Sequence, residues 1–382
     1  MRTAVALSGG IDSFVAAHIL KRQGHEIVGL TMTLDGLRAS DSGGRKPTHG
    51  TSVQPPAAAS RAAALLGIEH HVTDATEMFR ARVLAPFLRE YAAGRTPNPC
   101  VVCNEFIKFG LLMEEADALG ADMLATGHHA RVVPGPDRAS GDDGTSGDDG
   151  TGGDDGTGGG PRRLLRGTDE EKDQSYFLYR LSAGQLARVV MPVGEMLKDA
   201  VRATAEDLGF TGFAGRESAD ICFAAGGLPD FIRAEAPELL ASGPIEDMDG
   251  NVVGTHEGIV LYTIGQRSGL GVALGRPVYV ARIDAVRNAV IVGPDRELMA
   301  RSLESRDLAW PAGEPPAREF SALAKVRYAA KPAMCTVTVG GDVAHVVFRE
   351  EQRAIAPGQS IVFYDGEVVL GGGIIESAGA AD

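Results

Sequence analysis

The chain has 382 residues, 44% of them hydrophobic and 23% charged, with a formal net charge of −14 and four cysteines. That length accommodates two or three domains with cores of their own, and no apolar run reaches the length of a membrane span. The acidic balance excludes a chain that is basic throughout but leaves room for a local basic face, and four cysteines are too few for a disulfide framework, so reduced thiols are expected.

Met1-Arg2 leads straight into Thr3-Ala4-Val5-Ala6-Leu7, a short buried strand with no secretory leader before it, so a cytoplasmic protein is expected. Ser8-Gly9-Gly10-Ile11-Asp12-Ser13 follows, and Phe14 to Leu20 then has a helical pattern ending near Gly24. Two glycines allow a sharp turn, and Asp12 or Ser13 is expected to cap the helix. Backbone N–H groups, two hydroxyls and a helix N-terminus converge there, which suits a phosphate. The Asp12 carboxylate makes most sense facing Mg²⁺ beside that phosphate, so ATP is the expected ligand.

Further along, Ile27 to Met32 predicts a second strand, 35–56 a long polar loop, Ala57 to Leu66 a helix and Ile68 to Val72 a strand. Ala75 to Ala93 and Glu105 to Leu119 predict helices, and Asp122 to Thr126 a strand ending at Gly127-His128-His129. The alternation implies a parallel sheet covered by helices, with ligands beyond the strands' carboxyl ends; His128 is expected near the nucleotide. The tract 141–160 carries six aspartates and no basic residue, so the rest of the chain sums to −8. Its low complexity reads as a disordered insert without a catalytic role. Glu195 to Leu208 predicts a helix. Short β-like runs follow, from Gly258 to Thr263, Val278 to Ile283, Ala289 to Val292 and onward to Ile375. The expected fold is α/β: an N-terminal parallel-sheet domain (1–210), a central β-rich domain (211–280) and a C-terminal β-barrel (281–382).

Three chemistries fit Cys100 and Cys103 in Thr96-Pro97-Asn98-Pro99-Cys100-Val101-Val102-Cys103: half a zinc site, a pair of core cysteines, or redox-active thiols. No second CxxC exists to complete a zinc site, and the redox reading is the preferred one. A helix beginning at Glu105 would put Cys103 at its N-terminus, where the helix field lowers a thiol pKa. Cys222 has the flanks of a buried cysteine, and Cys335 fits a barrel core.

Taken together, these motifs resemble the bacterial tRNA-specific 2-thiouridylases, the tRNA-uridine 2-sulfurtransferases of the SGGxDS ATP pyrophosphatase superfamily. The resemblance runs through Ser8–Ser13, Gly29–Met32, Gly94–Pro99, Cys103–Phe109, Ala125–His128, Lys172–Leu178 and Ser218–Phe223. It continues through Thr263–Arg267, Leu270-Gly271, Pro357–Gln359 and Leu370–Ile375. It implies an ATP site at Ala6, Leu7, Ser8, Gly9, Gly10, Ile11, Asp12, Ser13, Met32 and Gly127. It implies Cys103 as nucleophile, Cys222 as persulfide carrier and a Cys103–Cys222 disulfide as by-product. Asn98, Pro99 and Cys100 would lie beside the target base, with Lys172, Asp173, Gln174, Arg327 and Tyr328 contacting tRNA. The implied reaction is ATP-dependent 2-thiolation of the wobble uridine, position 34, of tRNAs for Lys, Glu and Gln, fed by a persulfide sulfur-donor protein. Cys100 stands where some relatives have aspartate, so it competes with Cys103 for the nucleophile's role. The alternative reading is an ATP-dependent amide or amidine ligase of the same superfamily, which needs no paired cysteines.

Overall fold

The computed structural model describes residues 1–34, 56–136, 160–210, 221–224 and 227–379. The expected loop at 35–56 and the Asp/Gly tract at 141–160 thus fall outside the described residues, apart from their last positions. Pro56 opens the helix Pro56–Leu66, and Gly160 opens a strand.

The N-terminal sheet is built from β1 (Arg2–Ala6), β2 (Glu26–Thr33), β3 (Glu69–Asp74) and β4 (Met123–Ala125). After it come a hairpin of β5 (Ala130–Gly135) and β6 (Gly160–Arg166), then β7 (Val189–Val190). The sheet order is β3-β2-β1-β4-β7, all parallel. Both faces are covered, which is why Thr3, Ala4 and Val5 are all completely buried instead of alternating. On one face Phe14, Val15 and Leu20 of the helix Ile11–Arg22 pack with Ala59, Ala62 and Ala63 and with Val201 and Ala205. On the other, Phe109, Leu112 and Ala116 pack on Ala4, Val28, Leu30 and Leu124.

The second sheet comprises β8 (Gly243–Glu246), β9 (Val252–His256), β10 (Tyr279–Asp284) and β11 (Ala289–Gly293), in the order β10-β11-β8-β9. The boundary expected near 280 falls inside β10, so residues 281–293 extend this sheet. The β-like run Gly258–Thr263 is instead a 3₁₀ turn, Ile259–Leu261. Its side chains enter a core shared with Phe79, Phe87 and Phe223, and a short run buried this way carries no strand period.

The third sheet holds β12 (Met299–Ala309), β13 (Glu319–Lys325), β14 (Ala333–Gly340), β15 (Val343–Arg353), β16 (Ser360–Asp365) and β17 (Val368–Gly379). β12 pairs with both β15 and β17, which closes the barrel. Cys335 lies in β14, 2% exposed, its thiol donating to the Ala322 carbonyl at 3.4 Å, a core position as expected. The β5–β6 hairpin joins this sheet through Leu165 and Val368. The same junction is sealed by Tyr176, whose hydroxyl donates to the Ser360 carbonyl at 2.8 Å, and by Tyr179. A Cβ at Gly372 would sit 2.8 Å from the Tyr179 ring and 2.3 Å from the Ile361 carbonyl oxygen. Part of the Leu370–Ile375 motif is thus a seat for an N-terminal tyrosine.

Candidate active site

The phosphate loop is held by its own hydroxyls. Ser13 Oγ accepts from the Ser8 N–H (3.2 Å) and donates to the Gly10 carbonyl (3.0 Å), and Ser8 Oγ accepts from the Gly10 N–H (3.3 Å). Gly9 has φ +82°. The capping position is Gly10, with no side-chain cap, so neither Asp12 nor Ser13 caps the helix as expected. Ser13 is spent on the loop, and the first N–H groups of the helix have no side-chain acceptor, an arrangement suited to an anion. Leu7 extends β1 through its N–H to the Leu30 carbonyl, 2.7 Å, and Ala6 pairs with Leu30. Met32, half-buried, lies near the carboxyl end of β2 and touches the cores on both sides. A Cβ on Gly127 would lie 2.5 Å from the Ser13 nitrogen, so only glycine lets the end of β4 approach the loop.

Asp12, in the first turn of the helix, is tied to two side chains from later in the chain. Both its oxygens are 2.7 Å from Lys198 Nζ, and Oδ1 is 3.2 Å from His129 Nε2. Burial would push this carboxyl up, but hydrogen bonds from His129 and Lys198 outweigh it and hold the pKa below the usual range. Among the described residues no group of three or more His, Cys, Asp or Glu side chains is placed to hold a metal. Among these residues the zinc reading of the cysteines has no ligand set, and Asp12 is a carboxylate that magnesium could use.

His128 faces the other way. Its Nδ1 is 2.8 Å from Thr126 Oγ1, and its Nε2 accepts from Lys108 Nζ at 3.3 Å. Burial first, then Lys108 and His129, push its pKa well down and keep the ring neutral. The histidine at the nucleotide loop is thus His129, not His128.

The thiols lie on this second side. Asn98 Oδ1 accepts from the Cys100 N–H (3.2 Å) and caps a helix that begins at Pro99, not Glu105. It continues into a π-helical stretch, Asn104–Leu111. Cys103 is therefore a full turn inside and 8% exposed. Burial pushes its pKa up to about 11 despite the nearby Lys108, the reverse of the expected lowering. Desolvation of the charged thiolate outweighs the field of a short helix. Burial, reinforced by Cys103 and Cys100, pushes Cys222 up to about 12. Cys100 is raised by burial too, and Lys108 acts on all three thiols. Cys103 and Cys222 share one core with Phe79, Phe87 and Phe223. All four cysteines are free thiols, so the expected Cys103–Cys222 disulfide is not formed in this structure.

The barrel braces the cysteine loop. The Thr96 N–H donates to the Pro357 carbonyl (2.8 Å), Gln359 donates back to the Thr96 carbonyl (2.9 Å), and Arg95 forks onto Glu376 at 2.9 and 3.0 Å. Next to this, Asn98 hydrogen-bonds Tyr176, which also senses the charge of Arg327. The Tyr328 ring lies 4.6 Å from that of Phe177, and Lys325 Nζ is 5.3 Å from the Tyr328 centroid. Arg327 donates to the Arg353 carbonyl at 3.4 Å. Of the expected RNA contacts, Asn98, Pro99, Cys100, Arg327 and Tyr328 thus gather on one side. Lys172 sits half-buried in a turn closed on Asp169. Asp173 departs from the expectation. Only 1% exposed, it accepts from the Gly167 and Ser175 N–H groups (3.0 Å each) and pairs with Arg166 (3.1 Å), an internal brace. Gln174 Oε1 accepts from the His129 N–H at 2.9 Å and so holds the histidine that meets Asp12.

Known proteins match this arrangement along its length. A family model described as the tRNA methyl transferase HUP domain matches residues 1–226. The PRC-barrel domain of the same description matches 229–294, and an aminomethyltransferase beta-barrel domain matches 300–375. The tRNA-specific 2-thiouridylase MnmA of Roseiflexus sp. (strain RS-1) is 44% identical over 97% of this chain and 98% of its own. That of Geobacter metallireducens is 43% identical over 99% and 97%, and that of Clostridium acetobutylicum 37% over 98% and 99%. The chain belongs to the tRNA-specific 2-thiouridylase family. Membership makes it a sulfurtransferase with an ATP-using N-terminal domain. A solved tRNA thiolase, NcsA of Methanococcus maripaludis, shares only 17% identity over 62% of this chain and 67% of its own, with a TM-score of 0.34.

Two side chains at the site were not legible in the sequence. Lys108 stood inside the Cys103–Phe109 motif, five residues after Cys103, but an α-helical period points it elsewhere; the π-helical i→i+5 ladder sets it about one turn above the cysteine. Lys198 lies in a helix with no motif, and no local signal tied it to Asp12.

Proposed function

We propose that this chain carries out its family's reaction, ATP-dependent 2-thiolation of the wobble uridine of tRNA, with Cys103 as nucleophile and Cys222 as persulfide carrier. One observation carries the residue assignment. Two hydrogen-bonded pairs lie between the phosphate loop and the thiols: Asp12 meets His129, and its chain neighbour His128 meets Lys108, whose charge acts on Cys100, Cys103 and Cys222. This supports a reading in which a base activated beside the loop is presented to sulfur on the thiol side.

The C2 oxygen of uridine is a poor leaving group. It attacks the α-phosphorus of ATP, pyrophosphate departs, and the oxygen leaves later as AMP. Ala6 to Ser13, Met32 and Gly127 hold the nucleotide, with the loop N–H groups facing the phosphates. Asp12 would be the carboxylate that holds a Mg²⁺ accompanying the phosphates, an ion that would neutralise their charge. The outer sulfur on Cys222, delivered by a persulfide-donor protein, attacks C2. Cys103 then attacks the inner sulfur, releasing the 2-thiouridine and forming the Cys103–Cys222 disulfide, which a cellular dithiol resets. Alternatively Cys103 attacks the persulfide first and hydrosulfide reacts at C2; the products are the same. The base must leave its stack, which is easiest in a single-stranded anticodon loop. Asn98, Pro99 and Cys100 receive it, Lys172 and Gln174 flank it, and Arg327 and Tyr328 hold the backbone and a base. The substrates are the tRNAs for Lys, Glu and Gln.

Cys222→Ser is expected to abolish thiolation while ATP and tRNA binding persist. Mass spectrometry after loading with donor and alkylation should place the extra sulfur on Cys222. An extra sulfur on Cys100 instead would overturn the assignment.

A further inference from the structure

The residues after β7 emerge at the carboxyl edge of the parallel sheet, the edge that carries the phosphate loop and Gly127. Lys198, first residue of the helix Lys198–Asp207, is fixed there by its N–H on Asp169 Oδ2 (2.9 Å), and its ammonium grips both oxygens of Asp12. The pair is lopsided: the Lys198 side chain is 11% exposed, that of Asp12 30%. The carboxylate is the more solvent-exposed partner.

A purely structural role accounts poorly for this geometry. A carboxylate in the first turn of a helix is already favoured by the helix field, and a largely buried ion pair gains little net stability. The position has a clear electrostatic use instead. Asp12 would repel incoming phosphates unless a cation neutralised it, and a lysine carries its charge on a flexible four-carbon stem. We propose that Lys198 is a nucleotide-phosphate ligand, held on Asp12 in the empty site and transferred to the phosphates of ATP when the nucleotide binds. The exchange breaks no covalent bond: the ammonium gives up carboxylate oxygens for phosphate oxygens. His129, hydrogen-bonded to Asp12 and held by Gln174, keeps a partner on the carboxylate after Lys198 departs.

The inference rests on the ATP site assigned above, and equilibrium binding separates the two. ATP, AMP and inorganic pyrophosphate are titrated, with and without Mg²⁺, against the full chain and against Lys198→Met, Lys198→Arg and the double variant Lys198→Met/Asp12→Asn. Loss of one charged hydrogen bond predicts roughly 10- to 100-fold weaker ATP and pyrophosphate binding in Lys198→Met. AMP affinity and tRNA affinity should stay near wild type, and Lys198→Arg should recover part of the loss. The double variant leaves no unpaired carboxylate, so it is the decisive protein if the single variant folds poorly; without Mg²⁺, where Asp12 has no metal to hold, it should remain as weak for pyrophosphate as Lys198→Met. Recovery of wild-type affinity in the double variant would reduce Lys198 to a counterion of Asp12 and overturn the inference. Unchanged ATP affinity in Lys198→Met would overturn it too. Failure of the wild-type chain to bind ATP would overturn the nucleotide site itself.

Discussion

Cys103 and Cys222 are thiols that resist ionisation, with pKa values pushed up to about 11 and about 12 by burial. In the unfolded chain each reverts to a value of about 8.5, so the native state holds on to protons that the unfolded state loses. Their contribution to stability is complete below about pH 8.5 and is lost as pH rises through those raised values. Stability followed by denaturant unfolding from about pH 8 to 10.5 should therefore fall more steeply in the wild type than in a Cys103→Ser/Cys222→Ser variant. Parallel slopes would remove these thiols from the balance. A thiol that stays protonated at rest also suits the proposed chemistry, in which neither sulfur attacks before a persulfide or an adenylated base is present. Lys108→Met should slow alkylation of Cys103 further, because it removes a cation acting on all three thiols; an unchanged rate would mean that Lys108 does not tune them.

At the scale of elements, the glycine of Pro357-Gly358-Gln359 ties the barrel to the cysteine loop. Gly358 has φ +89°, and a Cβ there would sit 2.9 Å from the Thr96 nitrogen. Gly358→Ala should cost about 1–3 kcal/mol in unfolding free energy and lower thiolation more than ATP binding. Thermal melting with parallel nucleotide titration decides it, and full activity would show that the cysteine loop stands without this brace. Elements with a strong local pattern were legible in the chain: β1, the phosphate loop and its helix, the Pro56–Leu66 helix, and most barrel strands. What escaped depends on distant partners. β5 and β6 are not among the strands expected from the sequence; they pair with each other across a long separation, and β6 meets β17 only at Leu165 and Val368. Asp173 reads as a surface contact because only the fold brings the Gly167 and Ser175 amides to it. The thiols' acidity was misjudged because helix position is visible in a sequence and burial is not. We place the last domain boundary between Gly293 and Met299, where the two β-sheets part.

For the molecule as a whole, a chain of net charge −14 must still hold RNA. Tyr328, Arg327 and Lys325, on the barrel, lie against Tyr176 and Phe177 from the first half. Arg327→Ala should weaken tRNA binding and flatten its dependence on salt by about one released counterion, whereas Tyr328→Ala should weaken it at unchanged slope. Titrations at several salt concentrations distinguish charge from stacking, and wild-type behaviour in both variants would return these residues to the barrel surface.

The strand pairing between Leu165 and Val368 also sets a timetable for synthesis. More than two hundred residues separate the partners, so a ribosome working at roughly 5–20 residues per second exposes the hairpin some 10–40 s before its neighbour emerges. Through that interval the nascent chain carries an unpaired edge that other chains can extend. A premature stop anywhere before the last strand makes the exposure permanent, so truncated products should go to chaperones and proteases, not persist as a working N-terminal half.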